Sequence, residues 1–160
     1  MSSKPKGIYL EPDLVDSQAF MKLNGIALQV YLLFLKRRVM KKVGPKGKEK
    51  WFIENNGEII FSYTEALKKY EITKPRFQRA LDGLVNNGLI DITHHGGGVK
   101  GDFSTYAISQ RWRDYGTDKF IKNLRPKDTR KLGFASKTWK EKIGSKKKNN
   151  SKSGNETINA

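Results

Sequence analysis

Cysteine is absent from the 160 residues, which excludes disulfides and thiolate metal sites. Histidine is nearly absent, with two copies, His94 and His95. As neighbours on an extended run they point to opposite faces and make a poor joint metal site, so no metal and no cofactor is expected. Long apolar runs are missing as well. The longest, residues 26–35, is interrupted by Gln29 and reaches about half of the ~20 residues that a membrane-crossing helix needs. Residues 1–7 are polar and carry no apolar signal segment; a cytoplasmic chain without a membrane partner is expected. Acidic residues are scarce, with 16 Asp and Glu against 32 Lys and Arg, a formal net charge of +16. That surplus favours a polyanionic partner. Hydrophobic residues make up 36% of the chain, below the roughly 45–50% of a globular domain. They suffice for one modest core but not for ordering every residue.

The charge divides the chain. Residues 118–160 hold 13 basic and 4 acidic side chains, and the preceding 117 residues hold 19 and 12. A domain over residues 8–117 is expected, followed by a basic arm over 118–143. The arm offers Phe120, Ile121, Leu124, Leu132, Phe134 and Trp139 as points for docking on the domain. Residues 144–160 are almost entirely Lys, Ser, Asn and Gly, with Ile158 as their one large apolar residue. They cannot bury enough surface to offset their ordering entropy and are expected to be disordered.

Within the domain the periods predict elements. Residues 16–22 form a short helical turn. Asn24 can cap a helix over residues 25–40, apolar on nearly every side and therefore central and buried. Lys36, Arg37 and Arg38 suit the negative end of its dipole. Residues 41–50, with Gly44, Pro45 and Gly47, predict a basic loop, with Trp51 and Phe52 in a satellite core beneath it. Residues 51–53 and 58–61 predict short strands around an Asn55-Asn56-Gly57 turn. The run Ser62-Tyr63-Thr64-Glu65 has the spacing of a capping box and opens a helix over residues 63–70. Glu71 and Ile72 make a tight turn. Thr73 caps a second helix, which tolerates Pro75 in its first turn and runs to Asn87 before stopping at Gly88. Residues 89–94 and 103–109 predict two strands joined by a glycine-rich link.

This order of long helix, strand, short helix, tight turn, second helix and glycine-tipped hairpin resembles the winged helix-turn-helix superfamily over roughly residues 19–109. The most specific stretch is 61–92: a capped short helix, Ile72 in the turn, the apolar positions Phe77, Leu81, Leu84 and Val85, then Asn87-Gly88-Leu89-Ile90 opening the wing. The continuation from Gly96-Gly97-Gly98 through Gly101-Asp102 to Tyr106 is similar to wings in small DNA-binding proteins of phages and plasmids, some of them replication initiators or repressors. The resemblance implies an α+β fold, a three-helix core with a small antiparallel wing, that binds double-stranded DNA.

The residues fit that reading on their own chemistry. The outer face of the 73–87 helix carries Arg76, Arg79, Asp82, Gly83 and Asn86, with Lys74 and Gln78 near its start. A helix fits the major groove, about 12 Å wide, where Arg or Lys reads guanine and Gln or Asn reads adenine. Such helices read bases mainly from their N-terminal part. Lys74, Arg76, Gln78 and Arg79 are therefore the expected base contacts, with Thr73 on a phosphate. Lys68 and Lys69 are candidates for phosphates, and His94, His95 and Lys100 for the backbone or minor groove beside the wing. The other reading of these positions is a solvated helix face and a mobile hairpin tip. Lys146, Lys147 and Lys148 suit a salt-sensitive anchor or a solubilising end. Tyr106, Trp112 and Tyr115 suit packing better than base stacking.

Chemistry for an enzyme is not legible. Gly44-Pro45-Lys46-Gly47-Lys48 lacks P-loop spacing, and Glu49 stands where a Ser or Thr would be needed. The carboxylates are scattered. A DNA-binding transcriptional regulator or replication initiator is expected, with an RNA- or ribosome-associated basic protein and a winged-helix adaptor as the alternatives. A homodimer would extend the few base pairs that one helix reads, through either the 25–40 helix or the arm.

Overall fold

The computed structural model describes residues 7–97 and 101–125. The elements in chain order are α1 (Pro12–Val15), α2 (Gln18–Met21), α3 (Ala27–Lys36), β1 (Met40–Val43), β2 (Lys50–Ile53), β3 (Ile59–Ile60), α4 (Tyr63–Tyr70), α5 (Lys74–Asn86), β4 (Ile90–His94) and β5 (Thr105–Ile108), followed by a 3-10 turn at Arg111–Asp114. The fold is α+β, with three main helices and two small antiparallel sheets. Among the described residues, no helix is long and apolar enough to cross a membrane.

The core is a knot of aromatic rings that joins distant parts of the chain. Phe34 of α3 meets Phe61 and Tyr106 edge to face at 5.5 and 5.0 Å, and Phe61 meets Phe77 of α5 at 4.7 Å. Rings in this geometry add attraction beyond the area they bury. Val30, Ala66, Ile72, Leu81, Leu84, Leu89 and Ile90 fill in around them, all at most 2% exposed. Burial pushes the Tyr31 and Tyr106 phenols up to about 12, because the charged form would lose its water.

α4 and the strand that follows α5 lie close to where the periodicity puts them; several other expectations are corrected. The helix expected over 25–40 is Ala27–Lys36, with Ile26 and not Asn24 at its N-cap. The helix stops because Asn55 takes over its end: the Asn55 side chain donates to the Arg37 carbonyl at 3.0 Å and accepts from the Val39 amide at 2.8 Å. Met40 then begins a strand.

The expected 41–50 loop is instead the limb and tip of a hairpin. β1 and β2 pair in the register Met40↔Ile53, Lys41↔Phe52, Lys42↔Trp51 and Val43↔Lys50. The strands expected to pair around Asn55-Asn56-Gly57 do not. β3 instead lies against β5, Ile59 opposite Tyr106, and the order of the second sheet is β3-β5-β4. Asn56 prolongs that edge through its side chain, which donates to the Ile108 carbonyl at 3.2 Å and accepts its amide at 2.7 Å. Trp51 and Phe52 form no satellite core; they are 50% and 53% exposed.

Two caps also differ from expectation. Ser62 Oγ accepts from the Glu65 amide at 3.1 Å as foreseen. The Glu65 carboxylate does not close the box; it pairs with Arg37 Nη2 at 2.6 Å. The Arg37 guanidinium lies 3.7 Å from the centre of the Phe61 ring and donates to the Leu33 carbonyl at 2.7 Å. A charge at the C-cap of α3 thus outcompetes the local partner. Thr73 occupies the N-cap of α5 in extended backbone but makes no side-chain cap bond.

Candidate nucleic-acid interface

α4 and α5 are joined by a three-residue turn, and its geometry sets the angle at which α5 is presented. Glu71 adopts left-handed backbone with φ 55, unusual for a residue with a Cβ. In exchange its amide bonds the Leu67 carbonyl and the Ile72 amide bonds the Ala66 carbonyl, both at 3.0 Å. These bonds satisfy carbonyls that the end of α4 would otherwise leave open. Ile72 points inward and is buried, pinning the turn to the core.

α5 has two unlike faces. Phe77, Ala80, Leu81, Leu84 and Val85 are buried. Thr73, Lys74, Arg76 and Arg79 are exposed, and Gln78 is half-buried. Pro75 costs nothing at the start, since the first amides of a helix have no partner within it. Among the described residues no acid pairs with Lys74, Arg76 or Arg79. The acid that α5 does carry, Asp82, is held by Arg125 at 2.6 Å. Lys74 Nζ lies 5.3 Å from the Tyr63 ring centre. Lys68 and Lys69 are exposed in the last turn of α4, next to the exposed Glu71. The five α5 positions and the two α4 lysines are thus contributed by consecutive elements around one turn.

Arg76 and Arg79 also line a cleft of about 490 Å³. Gly83 and Asn86 continue that wall, and Lys22, Asn24, Ile26 and Ala27 at the start of α3 form the other. Gly83 lies inside α5, where alanine would be more stable, and a Cβ there would meet nothing within 4 Å. No packing among the described residues accounts for this glycine.

The hairpin β4–β5 follows directly. Its register shifts between Ile92 and His94, a bulge that increases twist, and the Thr93 and Thr105 hydroxyls bond across it at 2.8 Å. His94 and His95 are exposed near its end. His94 Nε2 bonds Asp102 Oδ1 at 2.6 Å, so of the two His94 is tied to the hairpin. Gly96 allows the two limbs to close, because a Cβ there would collide with the Phe103 main chain. Lys100 lies outside the described residues, as do residues 126–143 of the expected arm and the whole 144–160 tail. Of the first part of the arm Phe120 packs on the domain, meeting Tyr115 edge to face at 5.1 Å, whereas Ile121 and Leu124, also expected to dock, are 70% and 65% exposed.

The angle between helix and hairpin is held by residues outside the set expected to touch a ligand. Arg111 bonds Asp91 Oδ1 through Nη2 at 2.5 Å and Nε at 2.9 Å. It also reaches the Val85 carbonyl at 3.0 Å, Ile90 at 3.3 Å and Ile121 at 2.7 Å. One guanidinium therefore ties the end of α5, the start of β4 and the chain beyond β5. Burial pushes the Asp91 carboxyl up, but hydrogen bonds from Arg111, Ser109 and Asn123 outweigh it and hold it below its ordinary value. Asn87, buried, donates to the Ala19 carbonyl at 2.8 Å and clamps the end of α5 to α2. Gly88, at φ 77, lets the 3-10 turn close on the helix end. Of these, the Asn87-Gly88 pair had a signal, as a helix stop. Arg111 had none, because a lone arginine after a strand reads as surface charge until its partners across the fold are known.

Among the described residues no three His, Cys, Asp or Glu side chains gather as a metal site. Comparison with protein-family models, with curated proteins and with solved structures finds no match to the chain.

Proposed function

We propose that this chain is a winged helix-turn-helix protein that binds double-stranded DNA in a sequence-dependent manner and serves as a transcriptional regulator or as a replication initiator of a mobile element. The observation that carries the reading is the outer face of α5. It presents Lys74, Arg76 and Arg79 with no acid partner among the described residues, while Asp82 is neutralised by Arg125. In this reading α5, about 20 Å long for its 13 residues, enters the major groove by its N-terminal half. Arg76 and Arg79 read guanine edges and Gln78 reads adenine. Thr73, Lys68 and Lys69 hold phosphates beside it. The β4–β5 hairpin is the wing, and His94, His95 and Lys100 follow the adjacent backbone or minor groove. Arg111 holds helix and wing at the fixed angle that reading two grooves at once requires, and Asn87 fixes the end of the helix on α2.

The test is competition between a duplex and a folded RNA hairpin of equal length, titrated with salt. Duplex DNA is expected to win. Lys68→Ala/Lys69→Ala is expected to weaken every duplex alike and to reduce the log–log salt slope by about 2, near 0.9 for each phosphate no longer neutralised. Preference for the RNA hairpin would replace this reading with an RNA-associated one. A salt-insensitive complex with neither would favour an adaptor.

A further inference from the structure

The β1–β2 hairpin is not absorbed by the DNA-binding reading. It forms a sheet of its own and leaves the domain at the C-terminal end of α3, whereas the Arg76–Arg79 cleft lies at the N-terminal end of the same helix. Ten residues of helix, about 15 Å, separate the two. Its base is rigid: the Glu54 amide bonds the Val39 carbonyl at 2.8 Å, next to the Asn55 clamp on α3.

Beyond that base the hairpin carries a specific combination. Opposite pairs share a face of a two-stranded ribbon. Trp51 and Lys42 therefore share one face, and Phe52 shares the other with Lys41, Val43 and Lys50. Both rings are half exposed, one on each face, so they cannot cover one another. Five lysines against two glutamates give residues 40–54 a net charge of +3. Lys41 and Lys42 are matched by Glu54 and Glu49. These are exposed pairs of the kind worth little and readily exchanged. Lys46, Lys48 and Lys50 have no acid partner among the described residues.

We propose that this ribbon is a second nucleic-acid site, one that takes single-stranded DNA, with Trp51 and Phe52 as stacking platforms and Lys46, Lys48 and Lys50 along the phosphates. Charge selects a polyanion over a second copy of this chain, which carries +16 and the same lysines. The rings select a single strand over a duplex, because unpaired bases offer their flat faces whereas stacked pairs keep theirs covered. The proposal goes beyond the duplex reading and stands or falls apart from it.

The experiment is fluorescence anisotropy with a labelled oligothymidylate and the full chain at moderate salt. The parent is expected to bind. Trp51→Ala/Phe52→Ala is expected to weaken binding about tenfold or more, as expected for two bases that no longer stack, with an unchanged melting midpoint because neither ring is in the core. Trp51→Phe/Phe52→Tyr, which keeps both platforms, is expected to restore it. Arg76→Ala/Arg79→Ala is expected to bind the oligonucleotide as the parent does, whatever it does to duplexes. Three outcomes would overturn the proposal: equal binding by the alanine variant, loss of duplex affinity in that variant with no single-strand binding by the parent, or Trp51-dependent self-association without oligonucleotide binding.

Discussion

Two glycines five residues apart, Gly83 inside α5 and Gly88 just beyond it, should respond to alanine with opposite signs. At Gly83 the backbone is helical and an added methyl meets nothing within 4 Å. The full helix preference for alanine, about 0.8–1.0 kcal/mol, is therefore available. For a domain of this size it corresponds to a rise of about 4 °C in the melting midpoint. At Gly88 the backbone has φ 77, and the methyl would lie 2.8 Å from the Trp112 nitrogen and 2.9 Å from the Arg111 carbonyl carbon. Left-handed backbone alone costs an alanine about 1–2 kcal/mol. The collision is with main chain that cannot swing aside, so a total of about 2–4 kcal/mol is expected, a fall of about 8 °C or more. Far-UV circular dichroism melts of the parent, Gly83→Ala and Gly88→Ala measure both. A neutral or destabilised Gly83→Ala would mean that something packs on α5 there. A Gly88→Ala as stable as the parent would mean that the 3-10 turn does not close on the helix end.

Further outcomes follow from the same architecture. Arg111→Met should cost about 2–3 kcal/mol in urea denaturation, since Asp91 and three carbonyls lose a charged donor together. Because the Asp91 carboxyl is held low, its contribution is present above the unfolded value of about 3.9 and is lost as pH falls through the lower folded value. Asp91→Asn should flatten that part of the acid limb. Asn87→Ala should cost about 1–3 kcal/mol by leaving the Ala19 carbonyl without its donor; a neutral result would mean that α2 is not clamped to α5. At high pH, Tyr31 and Tyr106, raised to about 12, contribute stability that is complete below the unfolded value of about 10 and lost as pH rises towards 12. In an absorbance titration these two of the six tyrosines should ionise with unfolding and not ahead of it.

What was legible in the sequence was what is local. The Ser62 cap, the 3.6-residue period of Phe77, Leu81 and Leu84, and the Asn87-Gly88 stop each act within one element, and α4, α5 and β4 fall within a residue of where those signals put them. Pairings across the chain were not legible. Gly44, Pro45 and Gly47 hid a hairpin because turn residues dominate a short lysine-rich segment whose strands lack a clean alternation. β3 is two residues long and finds its partner far along the chain at Ile59↔Tyr106, a choice made by the shared aromatic core and not by the intervening Asn55-Asn56-Gly57. The candidate site divides the same way. The exposed positions of α5 follow from helical geometry. The engagement of Asp82 by Arg125, which leaves that face basic, is a property of the folded chain.

The central claim is tested most directly by selection from a random duplex library at graded salt, with the intact chain beside Arg76→Ala/Arg79→Ala. The account predicts that the parent enriches a motif and that the double variant loses it while keeping a salt-sensitive background. If nothing is enriched and the variant binds as the parent does, α5 does not read DNA and the proposed function is wrong.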